Sequence, residues 1–175
     1  MIETEELLLR PITSKDNVQF FSYRSDAETN KYQNFVPQKL AEVDAFIAKN
    51  PTEFNQPNTW FQLVIIKRES DKIIGDIGIH FIKGGLQCEI GCTLAKQYQG
   101  KGYAFRAMKI CIDFLFCTLD KHRITASVDP KNSKSIQLLE RLKFRKEAHF
   151  KEALLIKGEW VDDVIYGLLK EEWVA

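Results

Sequence analysis

Apolar residues recur along the chain in two rhythms. Val18 and Phe21 fall at helical spacing within Asp16 to Arg24. Leu40, Val43, Phe46 and Ile47 do so within Gln38 to Lys49, and Asn50-Pro51 ends that segment because a residue before proline avoids the helical region. After the polar, turn-rich stretch from Thr52 to Thr59 the period changes. Trp60 to Ile66, Lys72 to Ile82 and Gln87 to Leu94 are dense in Val, Ile and Phe, with turns at Glu69-Ser70-Asp71 and Lys83-Gly84-Gly85. That pattern predicts an antiparallel meander. Gly102 to Leu119 returns to helical spacing, with Ala104, Ala107, Met108, Cys111, Phe114 and Leu115 on one face. Arg123 to Val128 alternates as a half-buried strand, and Asp129-Pro130 turns the chain. Ser133 to Leu142 predicts a helix on Ile136, Leu139 and Leu142. Strand-like runs follow near Ala153 to Ile156 and Val164 to Leu169, and Leu7 to Pro11 reads as an opening strand. The order is strand, two helices, three strands, helix, strand, helix, two strands, which is an α/β or α+β sheet covered by helices.

Composition narrows the class. With 175 residues, 45% hydrophobic and 28% charged, the chain is expected to form one domain over residues 1–175 and to need no disulfide or metal to hold it. Lys and Arg number 25 against 24 Asp and Glu, so there is no global field for a polyanion, and nucleic acid is not an expected partner. Cys88, Cys92, Cys111 and Cys117 lack C-x-x-C spacing, and His80, His122 and His149 are scattered, so no metal is expected. The acidic start and the absence of an apolar run of about 18 residues give the expectation of a cytoplasmic protein without a membrane span.

The chemistry concentrates in Gln97-Tyr98-Gln99-Gly100-Lys101-Gly102-Tyr103-Ala104, between a predicted strand and the strongest predicted helix. Two glycines let backbone N–H groups turn toward a ligand, and the helix start adds unpaired N–H groups and the positive end of its dipole. The combination suits a phosphate or pyrophosphate, and a tight strand-to-helix turn is the plainer alternative. A Walker loop needs G-x-x-x-x-G-K-[ST], which is absent. Phe105 stands where a dinucleotide fingerprint needs a small third residue.

Gln97-Tyr98-Gln99-Gly100-Lys101-Gly102 resembles the Q/R-x-x-G-x-G/A signature of the GNAT N-acetyltransferases. Glu89-Ile90-Gly91-Cys92, His122-Arg123-Ile124, Asn132-Ser133-Lys134-Ser135, Leu142-Lys143-Phe144, Gly158-Glu159-Trp160-Val161-Asp162 and Glu171-Glu172-Trp173 occur in that family's order and spacing. They are similar to the branch containing the ribosomal-protein N-terminal acetyltransferases. The resemblance implies a mixed, twisted seven-stranded sheet flanked by about four helices and splayed between Gln87–Leu94 and Arg123–Val128. It implies acetyl-CoA as cosubstrate, a primary amine as acceptor and no metal. The pantetheine arm would lie near Cys92, Thr93 and Leu94, and the pyrophosphate on Gln99, Gly100, Lys101, Gly102, Tyr103 and Ala104. Lys131, Lys134 and Arg141 could meet the adenosine 3′-phosphate, or be ordinary surface cations.

An ammonium has no lone pair for attack on a thioester, so a base is useful, and a departing thiolate gains from an acid. The resemblance makes Glu89 the leading base candidate, with Glu152 or water as rivals. The family's frequent tyrosine is replaced by Leu139. Ser135, at the Asn-x-x-Ser position of the ribosomal-type branch, is the candidate acid, since a hydroxyl can donate. Asn132 could contact the cosubstrate arm or acceptor, and is equally a helix N-cap for the N–H of Ser135. Trp160, Asp162 and Glu152 are expected at the acceptor mouth, where a carboxylate beside an aromatic can hold a cation. The acceptor itself, a small molecule or a protein N-terminus, is left open, as are monomer or homodimer and a non-catalytic acetyl-CoA sensor. Lys143 stands where the family usually has glycine, at a helix end expected to be left-handed.

Overall fold

A computed structural model describes residues 2–82 and 84–173. Lys83, in the second predicted hairpin turn, lies outside them. The described strands are β1 (Ile2–Glu3), β2 (Leu7–Pro11), β3 (Thr59–Lys67), β4 (Lys72–Phe81), β5 (Gln87–Leu94), β6 (Arg123–Val128), β7 (Arg145–Ile156) and β8 (Glu159–Leu169). The helices are α1 (Asn17–Arg24), α2 (Leu40–Ala48), α3 (Tyr103–Asp113) and α4 (Ser133–Arg141). One sheet runs β1-β2-β3-β4-β5-β6-β8-β7, antiparallel except between β5 and β6. It has eight strands rather than the seven expected, because Ile2–Glu3 adds a short edge on β2.

Helices cover both faces. On one, Ala107, Met108, Cys111 and Ile112 of α3 and Leu139 of α4 pack with Leu9, Phe61, Ile77, Ile79, Ile90, Ile124 and Tyr166. On the other, Phe20 and Tyr23 of α1 with Val43 and Ile47 of α2 pack on Val64, Ile66 and Ile73. Burying each Val, Leu, Ile, Phe or Met side chain among these contributes about 1.5–3 kcal/mol.

Two segments depart from regular geometry. The predicted 102–119 helix is α-helical through Asp113 and then a π-turn over Phe114–Thr118, with Leu119 N–H bonding Phe114 O at 3.1 Å. In this wider turn Leu115 and Phe116, adjacent in sequence, are both buried. At the end of α4, Lys143 takes φ +68°. Phe144 N–H bonds Leu139 O and Lys143 N–H bonds Glu140 O, each at 3.0 Å, the paired bonds that satisfy the last carbonyls. The left-handed turn is therefore retained with lysine in glycine's place, at a cost of about 1–2 kcal/mol.

The sheet opens in the middle. Pairing between β5 and β6 covers Gln87↔Arg123, Cys88↔Ile124 and Glu89↔Thr125 and stops. From Ile90 to Leu94, β5 pairs with β4 alone, leaving its β6 side as a free row of backbone donors and acceptors.

Candidate active site

The splay continues into a groove of about 890 Å³ bounded by the end of β5, the loop into α3 and the first turns of α4. Cys92, Thr93 and Leu94 line it from the unpaired strand edge, and Gln99, Gly100, Gly102, Tyr103 and Ala104 from the loop. Asn132, Lys134 and Ser135 face it from α4. Lys101 does not line the groove; its side chain is exposed and its carbonyl accepts a bond from Arg106 Nη2 at 3.2 Å.

Local geometry explains the loop's composition. Gly100 and Gly102 have φ of +73° and +78°, a region that side chains with a Cβ occupy at a cost of about 1–2 kcal/mol. Gly102 caps α3 with its carbonyl accepting Arg106 N–H at 3.1 Å, so the N–H groups of Tyr103, Ala104 and Phe105 precede the first helical bond. A Cβ on Gly100 would meet no described atom within 4 Å. Gln99 braces the loop, donating from Nε2 to Leu94 O at 3.0 Å while Lys134 Nζ approaches its Oε1 at 3.5 Å. Lys31, Lys96, Lys131 and Arg141 bring further positive charge to the groove wall. Free backbone N–H groups, a helix N-terminus, open space and cations together fit a pyrophosphate and a further phosphate. The unpaired β5 edge fits an arm bearing amides. Gly102→Val is expected to weaken acetyl-CoA binding about tenfold or more, or about 1.4 kcal/mol. Its Cβ would stand 2.7 Å from the movable Arg106 guanidinium, so the backbone strain is the dominant effect. Titration calorimetry checks this, and an unchanged affinity would place the phosphates elsewhere.

At the head of α4, Asn132 Oδ1 accepts Ser135 N–H at 3.2 Å. The cap occupies the oxygen, and the amide nitrogen has no hydrogen bond among the described residues. Ser135 is partly exposed to the groove. Leu139, by contrast, is buried in the core and acts as packing.

Glu89 lies beyond the groove lining, on the face of the sheet opposite α3. Strand register sets it beside His80 of β4 and Thr125 of β6, and His80 stacks on Trp60 with ring centroids 4.9 Å apart. Burial pushes the Glu89 carboxyl above the ordinary glutamate range; the charge of His80 pulls it back and that of Asp163 pushes it up. Farther along this face, Asp76 accepts from Tyr23 Oη (2.7 Å), Arg24 Nε and Nη2 (2.9 and 2.5 Å) and Gln62 Nε2 (2.5 Å). This buried network joins α1 to β3 and β4 beside the splay.

The residues expected at the acceptor mouth lie together on the β7–β8 hairpin, outside the groove lining. Asp162 is engaged there: His149 Nε2 sits 2.7 Å from its Oδ2, and Glu152 N–H donates to its Oδ1 at 2.9 Å. These contacts, the Glu152 N–H foremost, hold the Asp162 carboxyl below the usual range. Glu152 sits at a bulge with φ +46°, and Trp160 is exposed. The carboxylate turned toward Glu89 is the neighbouring Asp163, which accepts Ser127 Oγ–H at 2.6 Å. Sequence reading missed His80 and Ser127 and named Asp162, not Asp163, at the acceptor mouth; strand alternation with a known register separates the two aspartates.

Comparison with known proteins agrees with this architecture. Residues 6–145 match the acetyltransferase (GNAT) domain model. An uncharacterized N-acetyltransferase, p20, of Bacillus licheniformis is 33% identical over 98% of this chain and 97% of its own length. The ribosomal protein uS5 alanine N-acetyltransferase of Escherichia coli is 33% identical over 69% of this chain and 63% of its own. The crystal structure of a GNAT-family acetyltransferase from Bacillus anthracis superposes with a TM-score of 0.88 at 29% identity, covering 98% of this chain and 99% of that one. Glycine loop, splayed strands and full-length similarity lead to one conclusion: the chain belongs to the GNAT family and is an N-acetyltransferase.

Proposed function

We propose that this enzyme transfers an acetyl group from acetyl-CoA to a primary amine by direct attack within one ternary complex. The observation that carries the reading is the splay itself, which joins a phosphate-suited glycine loop to a strand edge with Glu89 at its closed end. Bound acetyl-CoA supplies the acetyl group as a thioester, a carbonyl open to attack by a neutral amine with a thiolate as leaving group. The backbone of Gly100 to Ala104 and the groove cations would hold its phosphates, and the β5 edge from Cys92 to Leu94 would hold the arm.

The protein's own groups move the protons. Glu89 accepts one from the incoming ammonium, and burial helps by making this carboxylate more basic than an exposed glutamate. Ser135, which lines the groove, would donate from its Oγ toward the sulfur. Asn132 orders that helix start and presents its amide to the same space. A relative named for the alanine of ribosomal protein uS5 supports a protein α-amine as one acceptor class, and the sequence-level alternative of a small amine stands beside it.

Thiol release from acetyl-CoA across a panel of peptides and small amines tests the activity. Binding of acetyl-CoA with no turnover on any amine would instead mark a sensor. Ser135→Ala is expected to lower kcat about 10–100-fold, at the low end of acid–base contributions because a thiolate leaves readily, with little change in acetyl-CoA affinity. Equal kcat in the variant would reduce Ser135 to a packing residue.

A further inference from the structure

Among the described residues three aspartates are buried: Asp16, Asp76 and Asp163. Two of them are neutralised in place. Asp16 receives both arms of the Arg10 guanidinium at 2.7 Å, and Asp76 receives Arg24 together with Tyr23 and Gln62. Asp163 is different. It is 8% exposed, its Oδ1 accepts from Ser127 Oγ, and among the described residues no cation pairs with it. Its Oδ2 has no donor among the described residues. A carboxyl oxygen without a donor of its own can take a charge-assisted hydrogen bond from an arriving cation.

Its position indicates which cation. Ser127 lies two residues beyond Thr125, the β6 partner of Glu89, on the same face of the sheet. Asp163 therefore faces the region where Glu89 meets the acceptor, and its charge acts on Glu89. The reacting amine enters as an ammonium. Glu89 takes one of its protons, which leaves a neutral amine and a neutral Glu89 carboxyl. The reacting nitrogen then carries no positive charge to offer Asp163. A second cationic nitrogen on the acceptor can still donate to the Asp163 carboxyl during the attack, and an acceptor with a single nitrogen cannot.

We propose that Asp163 binds a second cationic nitrogen of the acceptor, so that this enzyme selects amines bearing a further positive charge a few atoms from the reacting one. The proposal rests on the reading of Glu89 as the base of an amine acetyltransferase. The shared chemistry is a paired cation, which a short diamine or a peptide N-terminus followed by lysine would both supply.

The test uses two matched pairs of acceptors with the full-length enzyme: 1,4-diaminobutane against n-butylamine, and Ala-Lys amide against Ala-Gln amide. The quantity read is the ratio of kcat/KM within each pair, by thiol release. Wild type is expected to favour the doubly cationic member of at least one pair by about tenfold or more, the scale of a charge-assisted hydrogen bond. Asp163→Asn keeps an oxygen for Ser127 and removes the charge, and is expected to bring that ratio to within about twofold. Asp163→Glu is expected to recover part of it. The pair that responds identifies the source of the acceptor. No preference in wild type, no turnover of any of the four, or an equal ratio in wild type and Asp163→Asn would each overturn the proposal. Should Asp163→Asn unfold, Ser127→Ala, which frees the carboxylate's orientation, is expected to lower the same ratio, and an unchanged ratio there would also overturn it. Failure of the underlying reading has a separate signature, undiminished kcat in Glu89→Gln.

Discussion

Replacing Glu89 by glutamine is expected to lower kcat by roughly 100-fold or more, within the range of about 10²–10⁴ for a positioned general base. Acetyl-CoA affinity should stay near that of the parent, because Glu89 does not line the groove proposed for the cosubstrate. The pH profile carries the sharper signature. A base must be ionised, and burial raises the Glu89 carboxyl. Activity should therefore fall on acidification at a higher pH than the value of about 4.3 for an unperturbed glutamate. Glutamine has no proton to take or lose, so this acid limb should vanish from kcat measured at saturating acceptor. Stability should respond in the opposite sense to activity. With its folded pKa above the unfolded one, Glu89 favours the fold most below the unfolded pKa, and that contribution is lost as pH rises through the folded value. Glu89→Gln should thus be at least as stable as the parent at neutral pH. A variant with parental kcat and an unshifted acid limb would remove Glu89 from the reaction.

The largest expected loss of stability comes from the Asp76 network. Asp76→Ala leaves Arg24, itself buried, without its counter-charge and strips acceptors from Tyr23 and Gln62. Breaking a buried ion pair by removing one partner costs about 3–5 kcal/mol. At roughly 2–4 °C per kcal/mol for a chain of this size, thermal melting followed by circular dichroism should fall by about 6–20 °C. The double variant Arg24→Met with Asp76→Leu should recover much of the loss, since well-packed apolar side chains avoid the desolvation that the ion pair had to overcome. A loss under about 1 kcal/mol in Asp76→Ala would show that water reaches the pair. Because the network sits on the face that carries Glu89, its loss should also loosen the acceptor side of the splay.

The register of β3 against β4 shows where the pattern of residues stops being informative. The turn at Glu69 to Asp71 follows from composition, and Lys67 does pair with Lys72 as a tight hairpin requires. Continued without interruption, that pairing would set Trp60 opposite Ile79. A bulge at Ile65/Ile66 sets it opposite His80 instead. One residue of slip exchanges the two faces of a strand. The stack of Trp60 on His80, and with it the environment of Glu89, was therefore out of reach of any alternation count. The same limit separated Asp162 from Asp163. Adjacent strand residues point to opposite faces, and a bulge in β7 between Phe150 and Leu154 absorbs Asp162 into the hairpin while Asp163 turns to the splay.

What the sequence determined by itself is the part of the protein built from local rules. Helical and strand periods located the four described helices and β2 to β6, but found only the last residues of β7, from Ala153, and β8 from Val164, and missed the two-residue β1. Glycines at φ +73° and +78°, the Asn132 cap and the left-handed turn at Lys143 are each imposed by short-range sterics and hydrogen bonding. The tertiary structure alone decided which charges meet. Arg24 finds Asp76 across 52 residues and Ser127 finds Asp163 across 36. Electrostatic compensation depends on distance in space and on burial, and neither quantity is written in the local order of the chain.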